Sequence, residues 1–246
     1  MRGVLLAGGK GTRLLPATRV MNKHMIPIGT RPMIEYPLAT LRDVFGIQDI
    51  LIISGGEHLG AFADYLGDGS DFGVRLTYRV QKEAQGIARG LQLAEDFCTS
   101  SKKEPFMVIL GDNVFDNAAL AKAFSSQKKR AQVQVPAVVL VETENASRFG
   151  VATIRNGRIT TVTEKPAVPE SPYAVSGLYC YDQSVFPLLK KLQPSLRGEF
   201  EISEVNARYA QQKKLSHFIL DGFWSDAGTP ESLARTHAWV ASSYSQ

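Results

Sequence analysis

The chain has 246 residues, 44% hydrophobic and 21% charged, with 28 Lys and Arg against 24 Asp and Glu for a net charge of +4. At this length roughly 70–75% of the unfolded surface can be buried, enough for a sizeable core in one large domain. The small positive balance favours small anionic ligands only weakly, and no Lys/Arg run is long enough to argue for nucleic acid, so no nucleic-acid partner is expected.

Arg2 to Ala7 reads as a buried strand that runs into Gly8-Gly9-Lys10-Gly11-Thr12-Arg13. A glycine-rich turn after a buried strand lets backbone N–H groups approach phosphate oxygens, and Arg13 adds a planar cation; the same glycines also suit a merely structural turn. The loop is neither a Walker A motif nor a dinucleotide fingerprint, because Leu14 stands where the third glycine belongs. A second cation follows in Lys23-His24-Met25-Ile26-Pro27. Apolar spacing predicts a helix over Met33 to Phe45, a buried strand over Asp49 to Ser54 and a helix over Glu57 to Leu66. Val74 to Val80 is a strand, Gly86 to Phe97 a helix and Pro105 to Leu110 a very apolar strand. This alternation argues for a mostly parallel sheet covered on both faces, with the site at the carboxyl ends of its strands.

Gly111-Asp112-Asn113 sits at such an end, where a carboxylate could hold Mg²⁺ or simply start a turn. Farther on, Ala137 to Glu142, Gly150 to Ile154, Arg158 to Glu164 and Tyr173 to Tyr181 are strands, with a hairpin at Asn156-Gly157. Glu164-Lys165-Pro166 closes one of them, leaving Lys165 either facing a phosphate or solvated. Helices are expected near Ser184 to Lys191, Glu201 to Gln211 and Pro230 to Val240. Asp226, just before the last, reads as a metal ligand or as that helix's N-cap. Cys98, Cys180 and the four histidines (24, 58, 217, 237) show no metal-ligand spacing. Met1-Arg2 leaves no room for a signal peptide and no stretch reaches membrane-spanning length, so a soluble, cytoplasmic protein without membrane contact is expected.

Gly8-Gly9-x-Gly11-x-Arg13-Leu14 followed by Lys23-x-x-x-Pro27 resembles the signature of the sugar-phosphate nucleotidyltransferases. The resemblance continues through Gly111-Asp112-Asn113 and Trp224-x-Asp226-x-Gly228-Thr229 nearly to the C-terminus. It implies a single α/β domain with a Rossmann-like, mostly parallel mixed sheet. About 1–115 would bind nucleotide and about 116–246 sugar phosphate. The implied activity is transfer of a thymidylyl group from dTTP to glucose 1-phosphate, giving dTDP-glucose. A uridylyltransferase, another sugar 1-phosphate and a non-catalytic nucleotide-sugar-binding regulator are the alternatives.

By the same resemblance Arg13 holds the triphosphate, Lys23 lies near the α-phosphate, Lys165 holds the sugar phosphate, and Mg²⁺ rests on Asp112 and Asp226. Leu6, Gly8, Gly9, Gly11, Thr12, Gln81 and Gly86 complete the nucleotide site. Asn113, Gly150, Glu164, Val175 and Tyr179 join Lys165 around the sugar. Three departures stand out: Ala84-Gln85 where longer members have a proline and a charged residue, His24 where many have Gln, and an end shortly after Trp239 that lacks the additional helices of longer members. With those helices go expected tetramer contacts and an effector site, which leaves homo-oligomerisation open.

Overall fold

The computed structural model describes residues 1–99, 104–128 and 135–243. Alternation along the first strand decides the architecture. In β1 (Arg2–Leu6), Val4 and Leu6 belong to one apolar cluster, while Leu5 and the following Ala7 belong to another. A strand buried on both faces needs cover on both. One face is covered by α3 (Ile87–Gln92), α6 (Val185–Leu189) and α7 (Ile202–Gln211) through Leu91, Phe186 and Val205. The other is covered by α1 (Glu35–Ala39), α2 (Gly56–Leu66) and α5 (Asn117–Lys128) through Leu38, Phe62 and Leu120.

Among the described residues nine strands form the main sheet. After β1 come β2 (Asp49–Gly55), β3 (Arg75–Gln81) and β4 (Phe106–Leu110). Then follow β5 (Ala137–Glu142), β6 (Gly150–Arg155), β7 (Arg158–Glu164), β8 (Tyr173–Tyr181) and β9 (Ser216–Ile219). The spatial order is β7-β6-β8-β4-β1-β2-β3, with β5 also pairing β8 and β9 pairing β5. Strands β4, β1, β2 and β3 run parallel, and β8 joins β4 antiparallel. The fold is thus a single-domain α/β structure with a mainly parallel, mixed sheet. Along β8 the partner of Val175 is Leu140 and that of Tyr179 is Val138, so Ser176-Gly177-Leu178 bulges toward β4.

Most expected elements form, with informative differences. The first helix starts at Glu35 because Pro27–Ile28 and Arg31–Pro32 pair across Gly29. It ends in a π-helical turn, Thr40–Val44, where the Thr40 hydroxyl takes the Tyr36 carbonyl. The helix expected over Gly86 to Phe97 breaks after Gln92 and resumes as α4 (Glu95–Thr99). Arg79 is the cause: it captures the Leu93 carbonyl and pairs with Asp96. Helix α5, strand β9 and a two-residue ladder between Val114–Phe115 and Trp224–Ser225 had no sequence-level expectation. Asn156 and Gly157 both have positive φ, as a primed hairpin turn requires. No helix among the described residues is long and apolar enough to cross a membrane.

The start of α3 and the approach to α7 are locked together at Gly86. The Phe200 N–H donates to the Gln85 carbonyl at 2.8 Å, and the Ala88 N–H to the Phe200 carbonyl at 3.3 Å. A Cβ at Gly86 would lie 2.8 Å from the Phe200 carbonyl oxygen, at a φ of +96°. Gly86→Ala should therefore destabilise the protein by about 2 kcal/mol or more. Gly55→Ala, with nothing within 4 Å, should stay within about 0.5 kcal/mol. Urea unfolding of the two variants checks this, and equal midpoints would refute it.

Candidate functional site

Behind β1 the chain turns at Gly9 and Gly11, both with positive φ. At Gly11 a Cβ would sit 2.8 Å from the Thr18 methyl and 3.0 Å from Lys23 Cβ, so glycine is what brings Lys23 beneath the loop. Thr12–Leu14 forms one 3₁₀ turn anchored by buried Leu14, with Thr12 and Arg13 exposed. The Arg13 guanidinium comes so near Gly228 that a Cβ there would be 3.3 Å from Nη2. No acidic side chain among the described residues pairs with Arg13.

The next turn, Lys23–Met25, is capped by Asn22, whose Oδ1 accepts the His24 backbone N–H at 2.9 Å. The same oxygen lies 2.7 Å from His24 Nδ1, which therefore carries the ring proton. His24 is 1% exposed, and burial together with the adjacent Lys23 charge lowers its pKa to about 3. It is a neutral ring packed under Gly111, and a Cβ on Gly111 would meet it at 2.7 Å. Lys23 Nζ donates to Asp112 Oδ2 at 2.5 Å. Burial pushes the Asp112 carboxyl up, but the Lys23 ammonium and the donors around it outweigh burial and hold it below the usual carboxylate range.

Asn113 joins three segments. Its Oδ1 accepts the Trp224 indole N–H at 2.7 Å and the Gly177 N–H of the β8 bulge at 2.9 Å. Its Nδ2 donates to Asp112 Oδ1 at 2.9 Å. The ladder pairing Ser225 with Val114 and Trp224 with Phe115 brings Asp226 to the same end as Asn113 and Asp112. Arg148, lying over the Phe149 ring, places Nη2 3.6 Å from Asp226 Oδ2.

Glu164 ends β7 opposite Gly150. The Lys165 N–H then donates to the Phe149 carbonyl at 2.9 Å, and Lys165 takes a φ of +40° before Pro166 breaks the ladder. Its Nζ stands 3.6 Å from Glu164 Oε1. Arg197 Nη2 reaches Glu164 at 3.1 Å and Glu201 at 2.8 Å, so the Glu164 carboxylate is held from the far side of the site.

One cavity of about 360 Å³ collects these groups. Leu6, Gly8, Gly9, Arg13, Lys23, Gln81, Gly86, Asp112, Asn113, Gly150, Glu164, Lys165, Val175, Tyr179 and Asp226 all line it. Gly11 and Thr12 do not: the first shapes the loop and the second points outward. Burial and the neighbouring carboxylates push the Tyr179 hydroxyl up, keeping it a neutral donor. Gln81 Nε2 is buried without a partner. Asn113 is 2% exposed and its amide is already committed on three sides.

Sequence reasoning passed over Arg148, Glu201 and Asn206, which line the cavity, and Arg197, which bonds the lining carboxylates Glu164 and Glu201. Arg148 stands two residues before Gly150, already assigned to the sugar, whereas Arg197 sits in a loop that carries no pattern of its own. Among the described residues no three His, Cys, Asp or Glu cluster as metal ligands. Asp112 and Asp226 are two hard oxygen donors, 13% and 14% exposed, on one cavity. Such a pair suits Mg²⁺ when phosphates and water supply the rest.

The nucleotidyl transferase family model matches residues 2–243. A glucose-1-phosphate thymidylyltransferase of Neisseria meningitidis serogroup A / serotype 4A is 41% identical over 245 residues, covering 98% of this chain and 82% of the relative. Among solved structures, a Bacillus anthracis protein described as a glucose-1-phosphate thymidylyltransferase, in complex with a sucrose, aligns with a TM-score of 0.86 at 44% identity, covering 97% of this chain and 94% of that one. A UDP-glucose pyrophosphorylase complexed with UDP-glucose shares the fold, with a TM-score of 0.84 at 24% identity and 98% of each chain covered.

The neutral His24 has a consequence for acid stability. Its pKa is about 3 folded against 6.5 for an unperturbed imidazole, so between those values the unfolded chain holds a proton that the folded one lacks. Stability from this group is complete above the unfolded value and falls with decreasing pH, by up to about 1.4 kcal/mol per unit. In His24→Gln the slope of unfolding free energy between about pH 4 and 6 should drop by close to one proton. Urea titrations across that range measure it, and an unchanged slope would mean that His24 protonates in the folded protein.

Proposed function

This chain belongs to the nucleotidyl transferase family, and from that premise we propose that it transfers the thymidylyl group of dTTP to glucose 1-phosphate, giving dTDP-glucose and pyrophosphate. The charge arrangement of the cavity carries this reading. Arg13, Lys23 and Lys165 share one space with Asp112 and Asp226, which suits two polyanions brought together. A binding protein without turnover would need neither all three cations nor both carboxylates.

In the reaction an oxygen of the sugar phosphate bonds to the α-phosphorus, and the bond from that phosphorus to the bridging oxygen of the β-phosphate breaks. The nucleophile is already an anion, so no strong base is required, and catalysis rests on positioning and charge neutralisation. Arg13 holds the triphosphate and takes up charge on the departing pyrophosphate. Lys23, oriented by Asp112, meets the α-phosphate, while Lys165 holds the incoming phosphate. Asp112 and Asp226 would hold Mg²⁺, which when bound neutralises phosphate oxygens.

Gln81 reads the base. Its amide offers a donor and an acceptor, matching the imide edge of a pyrimidine, and its buried Nε2 has no protein partner. Leu6, Gly8 and Gly86 frame that end. Gly150, Glu164, Val175 and Tyr179 frame the sugar, with Asn113 ordering the wall between. Residues 1–115 thus supply most of the nucleotide subsite and 116–246 most of the sugar-phosphate subsite.

Pyrophosphate release over a panel of nucleoside triphosphates with glucose 1-phosphate tests the proposal. dTTP and UTP should be used and purines rejected, and Gln81→Ala should weaken pyrimidine discrimination by about 1–3 kcal/mol. Equal turnover of ATP and dTTP would sink it.

The carboxylates give a second test. Asp112→Asn and Asp226→Asn should each lower kcat by about 10²–10³, and the double variant should lose little more, because both act on one charge cluster. Asn caps a helix about as well as Asp, so Asp226→Asn with full activity would reduce Asp226 to a structural role.

A further inference from the structure

At the sugar end of the cavity one donor is left over. Asn206, on α7, is 1% exposed and lines the cavity. The Tyr181 hydroxyl donates to its Oδ1 at 2.6 Å, which fixes the amide and turns Nδ2 away from that partner. Tyr181 is itself wedged between the rings of Tyr179 and Tyr209 at 5.8 and 6.4 Å, so the pair has little freedom to reorient. Asn206 Nδ2 is buried and has no partner. A folded chain tolerates a buried N–H without an acceptor poorly, and its presence on a cavity wall calls for an acceptor brought from outside.

The chemistry of that acceptor follows from the surroundings. The lining on this side combines the apolar Val162, Ile202 and Tyr179 ring with Ser203, one turn from Asn206 on α7, and with the carboxylates Glu164 and Glu201, which repel a phosphate. A neutral amide N–H on such a wall matches a neutral oxygen rather than a phosphate, for which the cavity supplies Arg13, Lys23 and Lys165 instead. Resting on the sugar-phosphate reading above, we propose that Asn206 is a specificity-determining residue whose Nδ2–H donates to a hydroxyl oxygen of the hexose, directly or through one ordered water. Tyr181 acts behind it as a positioning residue.

The test is steady-state kinetics of wild type, Asn206→Ala and Tyr181→Phe with glucose 1-phosphate and its 2-, 3-, 4- and 6-deoxy analogues varied at saturating dTTP, and with dTTP varied at saturating glucose 1-phosphate. Asn206→Ala should raise the KM for glucose 1-phosphate by about 10- to 100-fold and leave the KM for dTTP unchanged. One deoxy analogue should be a poor substrate for wild type yet suffer no further loss in Asn206→Ala, since the bond is already missing from the sugar side. Tyr181→Phe keeps the donor and should change the sugar KM far less. Should the alanine variant fail to fold, Asn206→Asp keeps size and the acceptor for Tyr181, and the same deoxy pattern is read there. Equal effects of Asn206→Ala and Tyr181→Phe, or an unaltered deoxy profile, would make Asn206 a core residue satisfied by Tyr181 and overturn the proposal. Failure of the underlying reading looks different: wild type would release no pyrophosphate from any sugar 1-phosphate.

Discussion

The site depends on a single side-chain amide. Asn113 accepts from the Trp224 indole and from the Gly177 N–H and donates to Asp112, so it ties the end of β4 to the β8 bulge and to the segment carrying Asp226. Only an amide can do this, because the position needs an oxygen that accepts twice and a nitrogen that donates to a carboxylate. An aspartate would set a second charge against Asp112, and a leucine would leave the buried indole and bulge N–H groups unpaired. The bulge has its explanation here too. Opening the ladder at Ser176-Gly177-Leu178 frees the N–H that Asn113 uses, and Gly177 lets the amide approach to where a Cβ would lie 2.7 Å away.

From that anchor the charges fall into place. Asp112 is held ionised although burial opposes it, because Lys23 lies at 2.5 Å and Asn113 donates to the other oxygen. His24, next to Lys23, would add a third charge if protonated, but burial and the Asn22 acceptor keep it neutral. Arg13 has no acidic partner among the described residues and faces the cavity with its charge uncompensated. Fixed dipoles and charges set before a ligand arrives need no reorganisation when it reacts.

Local patterns in the sequence carried the parallel half of the fold well. β1, β2 and β4 are built around the apolar runs Val4 to Leu6, Ile50 to Ile53 and Phe106 to Leu110, and their alternation between two clusters follows from burial on both faces. The failures share a cause. The split of the helix after Gln92 needs Arg79 to reach across from β3, and the short ladder at Trp224–Ser225 exists only because Val114–Phe115 lies beside it. Neither contact leaves a trace in apolar periodicity: one is a side chain of β3 meeting a helix 14 and 17 residues on, the other a pairing of segments far apart in the chain. The glycine loop, Asp112 and Lys165 were legible because strand ends and breakers mark them locally. That Asp226 shares their cavity rests on the ladder, and the neutrality of His24 rests on depth of burial, which spacing does not encode.

The distribution of unfavourable features gives the last step. Among the described residues four buried side-chain polar atoms lack partners, on Asn22, Gln81, Ser176 and Asn206. Gln81 and Asn206 line the cavity, while Asn22 and Ser176 each adjoin a lining residue, Lys23 and Gly177. Two of the non-glycine residues with positive φ, Lys165 and Ala227, are in or next to the same wall. A buried polar group that neither water nor ligand meets costs about 1–3 kcal/mol, and a strained backbone about as much. Random imperfection would scatter these through the core. Their concentration around one cavity means that the folded chain is completed by what fills it. A ligand that satisfies the donors at both ends and the cations between them recovers that energy as binding, and raises the stability of the fold in proportion.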